Sequence, residues 1–180
     1  HVPDINDFTN GLKATLKPRG TITLEFAYSL YLIEKTLFDT IYHEHYSYLS
    51  LYNVQQIFEK ADLKVLDVEI LPTQGGSLRI YGAHIDDSRP VSPNVENQLK
   101  REKLSGLMEI RTYHEFQSRV EKIKDDFIMF LKKQKLTGNN VAAYGAAAKG
   151  NTLLNYSEVK TELISFVCDA AESKQGKFLP

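Results

Sequence analysis

The stretch that decides the fold is "LKVLDVEILPTQGGSLRIYGAHI", residues 63–85. It contains two runs rich in Val, Ile, Leu and Tyr, residue types that favour β-strands. The runs are separated by "TQGG", whose paired glycines suit a reverse turn. The pattern predicts two antiparallel strands joined as a hairpin.

Helix and strand patterns precede this hairpin. "DINDFTNGLKATLKPRG" predicts a short amphipathic helix that stops near Pro18, and residues 21–26 predict a strand. "NVQQIFEKA" then predicts a helix capped by Asn53. The sequence between them is rich in Tyr and His and fits a loop or an irregular helix.

Three further segments follow the hairpin. Residues 86–93 have the Pro, Ser and Asp content of a linker. Apolar side chains from Phe116 to Phe130 alternate at spacings of three and four, which predicts one long helix beginning near Gly106. "NNVAAYG", "AAAKGNTLLNY" and "ELISFVCD" then read as strand, turn with helix, and strand, a small βαβ unit. The fold class is therefore predicted to be α/β.

Composition limits the classes of function. The chain has 180 residues, 42% of them hydrophobic and 25% charged, which is ordinary for a globular protein. A net charge of -1 makes nucleic acid and anionic membranes poor partners. One cysteine, Cys168, allows neither an internal disulfide nor a cysteine-based zinc cluster. The apolar runs are too short to span a bilayer and residue 1 opens no signal peptide, so we expect a cytoplasmic protein.

The segment "FDTIYHEHYSYLSLYN", residues 38–53, is the first candidate for chemistry. His43 and His45 flank Glu44, which would allow metal ligation, but the sequence shows no third or fourth ligand in a known spacing. A histidine beside a carboxylate and tyrosines also suits acid/base chemistry near neutral pH. A polar loop whose aromatic rings pack on a helix is the third possibility. The residue types alone leave all three open.

Two glycine turns are further candidates. "YGAAAKGN", residues 144–151, joins a strand to a helix, where free amides can hold a phosphate. It is not a P-loop, since Asn151 stands where Lys is required, and Ala147 spoils a GxGxxG pattern. Lys149 could add charge near a phosphate, but small residues also suit close strand–helix packing. "TQGGSLR" likewise fits either a turn or close backbone approach to a ligand.

The three segments together resemble one family. "FDTIYHEHYSYLSLYN", "GGSLRIYGAH" and "YGAAAKGNTLLNY" occur in this order in the nucleotide-sugar C-methyltransferases of deoxysugar biosynthesis. The resemblance covers nearly all of the chain. It implies a parent protein with an N-terminal zinc-binding domain, an S-adenosylmethionine-binding Rossmann-like domain and a second Rossmann-like domain.

The resemblance also implies a domain organisation. Residues 1–88 resemble the C-terminal half of the methyltransferase domain, with its fifth strand and its antiparallel edge hairpin. Residues 89–180 resemble a long helix followed by a truncated Rossmann-like C-terminal domain. The glycine-rich turn for S-adenosylmethionine and the zinc module lie upstream in the family. No residue here is therefore assigned to either cofactor, and no metal is expected in this chain.

Site roles follow from the same resemblance. The substrate would be a nucleotide-linked 4-keto sugar, with His45 as general base, Glu44 as its orienting neighbour and Tyr42 as a hydroxyl close to the sugar. His43 is expected to be structural. The predicted substrate contacts are Lys149, Asn151, Gly75, Gly76 and Ser77. The chain departs from the family pattern at Gln74, where many members carry His, and at Ala147, where many carry Pro.

The expected function is C-methylation of that sugar by proton removal next to the ketone and methyl transfer to the enolate carbon. The alternative is a non-catalytic nucleotide-sugar binding or assembly module that kept the fold. A dinucleotide oxidoreductase is a distant third, because the glycine pattern is wrong and no acidic residue is expected at the required strand end. A sheet that lacks its first strands would expose an edge, so we expect self-association or pairing with the missing part of the parent chain.

Overall fold

The computed structural model describes residues 1–179, and within this range six α-helices and five β-strands form two compact units. Unit 1 comprises residues 1–37 and 44–113. Unit 2 comprises residues 38–43 and the chain from residue 114 onward. The predicted α/β class is confirmed. The Rossmann-like identity of the two parts, and their assignment to residues 1–88 and 89–180, stay predictions.

Unit 1 is built on a three-stranded antiparallel sheet. Its strands are β1 (Ile22–Ala27), β2 (Leu63–Leu71) and β3 (Ser77–His84), arranged in the order β1-β3-β2. β3 is antiparallel to both neighbours, so the predicted hairpin is confirmed and β1 runs in the same direction as β2. The early strand predicted from residues 21–26 is confirmed as β1.

Side-chain alternation fixes the register of this sheet. Leu78 and Ile80 on β3 have no exposed surface, whereas Arg79 between them faces outward. Arg79 lies directly opposite Glu25 on β1 and Glu69 on β2, and pairs with them at 3.0 and 3.1 Å. A slip of one residue would expose the buried aliphatic side chains and bury these charges. The burial dominates, since such exposed ion pairs add little free energy.

Four helices complete most of unit 1: α1 (Ile5–Thr15), α2 (Ser29–Glu34), α3 (Leu51–Lys60) and α4 (Pro93–Leu104). α3 buries a stripe at helical spacing formed by Leu51, Val54 and Phe58, which is why its sequence becomes a helix against the sheet. The predicted cap at Asn53 is wrong. Ser50 is the N-cap. Asn53, at the third helical position, completes a capping box because its side chain accepts from the Ser50 N–H.

The region after the hairpin contains a helix that sequence analysis missed. α4 begins where the Ser92 side chain accepts from the Asn94 N–H and where Pro93 occupies the first turn. It ends before Gly106, whose φ of 69° suits a chain reversal. The long helix α5 therefore runs over Ile110–Leu136, whereas the sequence predicted a start near Gly106.

Unit 2 contains most of α5 and a small βαβ unit. β4 (Ala143–Tyr144) leads into α6 (Ala148–Tyr156) and then β5 (Val167–Cys168). β4 and β5 pair in parallel, so the predicted strand–helix–strand order is confirmed. The Tyr156 ring at the end of α6 packs against Phe38 at a centroid distance of 5.4 Å.

Candidate functional site

The tyrosine–histidine segment is irregular over most of its length. It starts with a 3₁₀ turn at Phe38–Thr40, and its last three residues, 51–53, form the start of α3. Tyr42 is half-buried and belongs to unit 2. Glu44 is exposed, His45 is half-buried, and both belong to unit 1. The predicted catalytic residues are therefore divided between the two units, and their roles stay predictions.

Aromatic edges hold the His45 imidazole in unit 1. Its centroid lies 4.9 Å from the His1 ring and 6.2 Å from the Tyr48 ring, with interplanar angles of 73° and 88°. Such edge-to-face contacts restrict the ring. Part of the side chain stays accessible. A base needs both properties, because it must be oriented and must also reach the proton that it removes.

A buried carboxylate anchors the C-terminal end of this segment, where α3 begins. Glu102 on α4 has no exposed surface and accepts the Tyr28 hydroxyl at 2.6 Å and the N–H groups of Leu51 and Tyr52 at 2.5 and 3.0 Å. The Gln98 amide donates to the Tyr28 oxygen at 2.8 Å. Burial, together with the bond to Glu102, raises the pKa of Tyr28 far above its ordinary value of 10.0. The phenol therefore stays protonated and serves as a donor.

The hairpin turn is filled by side chains of its own unit. An added Cβ at Gly76 would lie 2.1 Å from Tyr31 Cδ2, and one at Gly75 would lie 2.9 Å from Leu37 Cδ1. Lys35 Nζ donates to the Gly75 carbonyl at 2.5 Å. Close packing thus accounts for both glycines without a ligand. Their predicted contact with substrate stays a prediction.

Ser77 is likewise held by contacts within the hairpin turn. It is buried, and its hydroxyl donates to the Thr73 carbonyl at 3.1 Å and lies 2.9 Å from Thr73 Oγ1. These bonds close the turn between β2 and β3. The predicted role of Ser77 in substrate binding is therefore not needed to explain its burial, and it too stays a prediction.

The second glycine turn leads from β4 into α6. Lys149 and Asn151 are half-buried in the first turn of α6, behind Ala147 at the N-cap. Alanine has no side-chain acceptor for the first amides of this helix. Asn151 also lines a cavity of about 1140 Å3 in unit 2, together with Asp169 and residues of the chain that follows β5. The placement is compatible with the predicted substrate contacts, which stay predictions.

Sequence analysis missed Asp169, whose carboxylate binds the backbone of this glycine turn. It follows β5 directly, and its carboxylate accepts the N–H groups of Ala146 at 2.7 Å and Ala171 at 2.8 Å. Lys174 Nζ lies 3.3 Å away. The expectation of no acidic residue at a strand end was therefore wrong, although this carboxylate is engaged by the turn itself. An aspartate closing "FVCD" was the signal available in the sequence.

This carboxylate makes the turn sensitive to acid. The N–H donors of Ala171 and Ala146, with Lys174, hold the pKa of Asp169 below its ordinary 3.8. The folded state therefore binds its proton less readily than the unfolded chain, so the stabilisation is complete above pH 3.8 and is lost as the pH falls further. We expect the Ala146 and Ala171 amides to lose protection from hydrogen exchange as the pH falls through this lowered pKa.

NMR-detected exchange, followed from pH 5 downward until the carboxylate is protonated, measures this loss. In Asp169→Asn the same amides should be less protected at pH 5 and should change little with pH. Asp125→Asn on exposed α5 is the matched control and should keep the wild-type profile. Equal acid sensitivity in wild type and Asp169→Asn would contradict the assigned role.

The described residues give no support to a metal centre. Within residues 1–179 no group of three or more His, Cys, Asp or Glu side chains is arranged to hold a metal ion. Cys168 is exposed. One cysteine cannot supply the several cysteine ligands of the zinc module that the resemblance implies for another part of the parent protein. In the same range, no helix has both the length and the apolar character needed to cross a bilayer.

Comparison with known proteins defines the class. Residues 72–180 match the model of the C-methyltransferase C-terminal domain. The whole chain, 180 residues, is 37% identical to the C-methyltransferase NovU of Streptomyces niveus. The alignment covers 100% of this chain and 43% of that relative, so the chain spans less than half of the relative's length. The chain belongs to the C-methyltransferase family.

Proposed function

We propose that this chain is part of an S-adenosylmethionine-dependent C-methyltransferase that acts on a nucleotide-linked 4-keto deoxysugar. Similarity over the whole of this chain to 43% of a C-methyltransferase is the observation that carries the proposal. It is supported by the oriented, partly accessible imidazole of His45. A cytoplasmic location fits such a biosynthetic substrate and is part of the proposal.

The proposed reaction begins with removal of a proton. The hydrogen on the carbon next to the sugar ketone is acidic because the ketone oxygen takes up the charge in an enolate. The neutral His45 imidazole accepts this proton. S-adenosylmethionine would supply the sulfonium methyl group that bonds to the enolate carbon, and the electron pair of the broken carbon–sulfur bond would stay on sulfur. The products are the methylated sugar, the neutral thioether and one proton carried by His45.

The remaining predicted residues have supporting roles in this scheme. Glu44 orients or supports the imidazole as its sequence neighbour, and the Tyr42 hydroxyl lies close to the sugar. A donor near the developing enolate oxygen would lower the barrier most, because charge appears there only in the transition state. Lys149 and Asn151 at the start of α6 would meet the nucleotide phosphates or the sugar.

β1 forms an edge of its sheet among the described residues. An unpaired edge strand offers free N–H and C=O groups to another strand. This supports the expectation that the chain either self-associates or pairs with other strands of the full-length protein.

Methyl transfer by the full-length protein tests the proposal. We expect label from methyl-labelled S-adenosylmethionine to appear on a ring carbon of a nucleotide-linked 4-keto sugar. The same nucleotide sugar without the ketone should stay unlabelled, since it has no acidic proton. Tight binding of the keto sugar with no transfer would favour the alternative of a non-catalytic binding module.

A further inference from the structure

We propose that Glu102 is a positioning residue for methyl transfer, because its buried carboxylate fixes the chain that carries His45. Sequence analysis did not single out Glu102. The inference rests on the proposed function, in which His45 is the base. Glu102, Tyr28 and residues 44–52 all lie in unit 1.

The first observation is the burial of Glu102. A carboxylate with no exposed surface is costly unless every oxygen is satisfied. Here Oε1 accepts from the Tyr28 hydroxyl and the Leu51 N–H, and Oε2 accepts from the Tyr52 N–H. The two amides belong to the first turn of α3, where donors lack partners within the helix and a negative charge is favoured.

The second observation is what these donors connect. Tyr28 follows β1 directly, and the next residue, Ser29, donates its N–H to the Leu49 carbonyl at 3.1 Å. Leu51 and Tyr52 begin α3 on the other side of Leu49. Glu102 therefore ties the end of β1 to the start of α3. It lies 74 residues from Tyr28 and 51 residues from Leu51 in the sequence.

The third observation links this clamp to the imidazole. Tyr48 immediately precedes the clamped Leu49, and its ring meets the His45 ring edge-on at 6.2 Å. Residues 44–50 are irregular, so they have no helix or sheet ladder of their own to hold them. The aromatic contacts of His45 and the anchored start of α3 both contribute to its position. Glu102 sets the second of these.

Glu102→Gln tests this dependence with little change in volume. An amide oxygen can still accept from Tyr28 and Leu51, but the amide NH₂ would face the Tyr52 N–H, donor against donor. We expect kcat of the full-length protein to fall about 10- to 100-fold, as for a small displacement of a catalytic group. KM for the nucleotide sugar should stay close to wild type. Hydrogen exchange should rise in residues 44–52 and not in β2 or β3.

Matched variants separate positioning from general stability. Glu96→Gln makes the same chemical change on the exposed side of α4 and should leave kcat and the exchange pattern unchanged. Tyr28→Phe removes one donor and keeps both helix amides bonded, so it should give a smaller effect of the same kind. It also provides the test if Glu102→Gln does not fold.

The outcomes distinguish this inference from the proposed function. A lower melting temperature with unchanged kcat per folded molecule and uniform exchange would mean a purely structural role, and would overturn the inference. If wild type transfers no methyl group, the proposed function fails, while the exchange pattern still reports whether Glu102 holds residues 44–52. Unchanged exchange there would overturn the clamp as well.

Discussion

Replacement of His45 by alanine in the full-length protein is expected to lower kcat about 10²- to 10⁴-fold, the range that a positioned general base contributes. Binding of the nucleotide sugar and of the methyl donor should persist, because the imidazole acts on one proton and carries little binding surface. Steady-state kinetics with calorimetric binding measures both quantities. The expected signature is a loss in kcat with little change in affinity.

His43→Ala is the matched control for this variant. His43 is exposed, lies two positions away in the chain and is expected to be structural. Its kcat should remain close to that of wild type. An equal loss in both variants would indicate damage to the segment and not the loss of a base. Unchanged turnover in His45→Ala would place the base elsewhere.

Gly76→Ala is expected to cause a large loss in the free energy of unfolding. The backbone at Gly76 has φ of 139°, which L residues rarely adopt, and the new Cβ would lie 2.1 Å from Tyr31 Cδ2. Strain and overpacking together should lower the free energy of unfolding by about 3 kcal/mol. Tyr31 cannot easily move aside, since Arg101 donates to its hydroxyl at 3.1 Å and Lys35 Nζ lies 4.2 Å from its ring centre.

Gly11→Ala, inside a helix, is expected to raise the free energy of unfolding. Gly11 lies inside α1, and a Cβ there meets no atom within 4 Å. Its replacement should therefore stabilise the protein by about 0.5–1 kcal/mol through higher helix propensity. Urea denaturation followed by circular dichroism measures both changes. If Gly76→Ala unfolds at the urea concentration of wild type, the packing described for the turn is wrong.

Elements with a local pattern could be predicted from the sequence. The β2–β3 hairpin is encoded by two β-rich runs around a glycine turn, and the βαβ unit by two apolar runs around a helical pattern. Each signal lies within one continuous stretch of about 20 to 30 residues. The segment around His45 was recognised by a different route, its resemblance to a family, because its residue types alone left three interpretations open.

Features that depend on distant contacts could not be predicted. Glu102 becomes important only when the fold brings it to residues 51 and 74 positions away. α4 was missed because its polar sequence has a weak apolar face, although its Ser92–Pro93 start was visible. Sequence also gave no means of knowing that the turn glycines are filled by Tyr31 and Leu37.

The most direct test of the account is solvent-deuterium exchange at the sugar carbon next to the ketone. The full-length protein would be incubated in D₂O with the 4-keto nucleotide sugar and S-adenosylhomocysteine, so that proton removal occurs without methyl transfer. We predict that wild type incorporates deuterium at that carbon and that His45→Gln does so at least about 100-fold more slowly. Exchange by His45→Gln at the wild-type rate would contradict the assignment of His45 as the base.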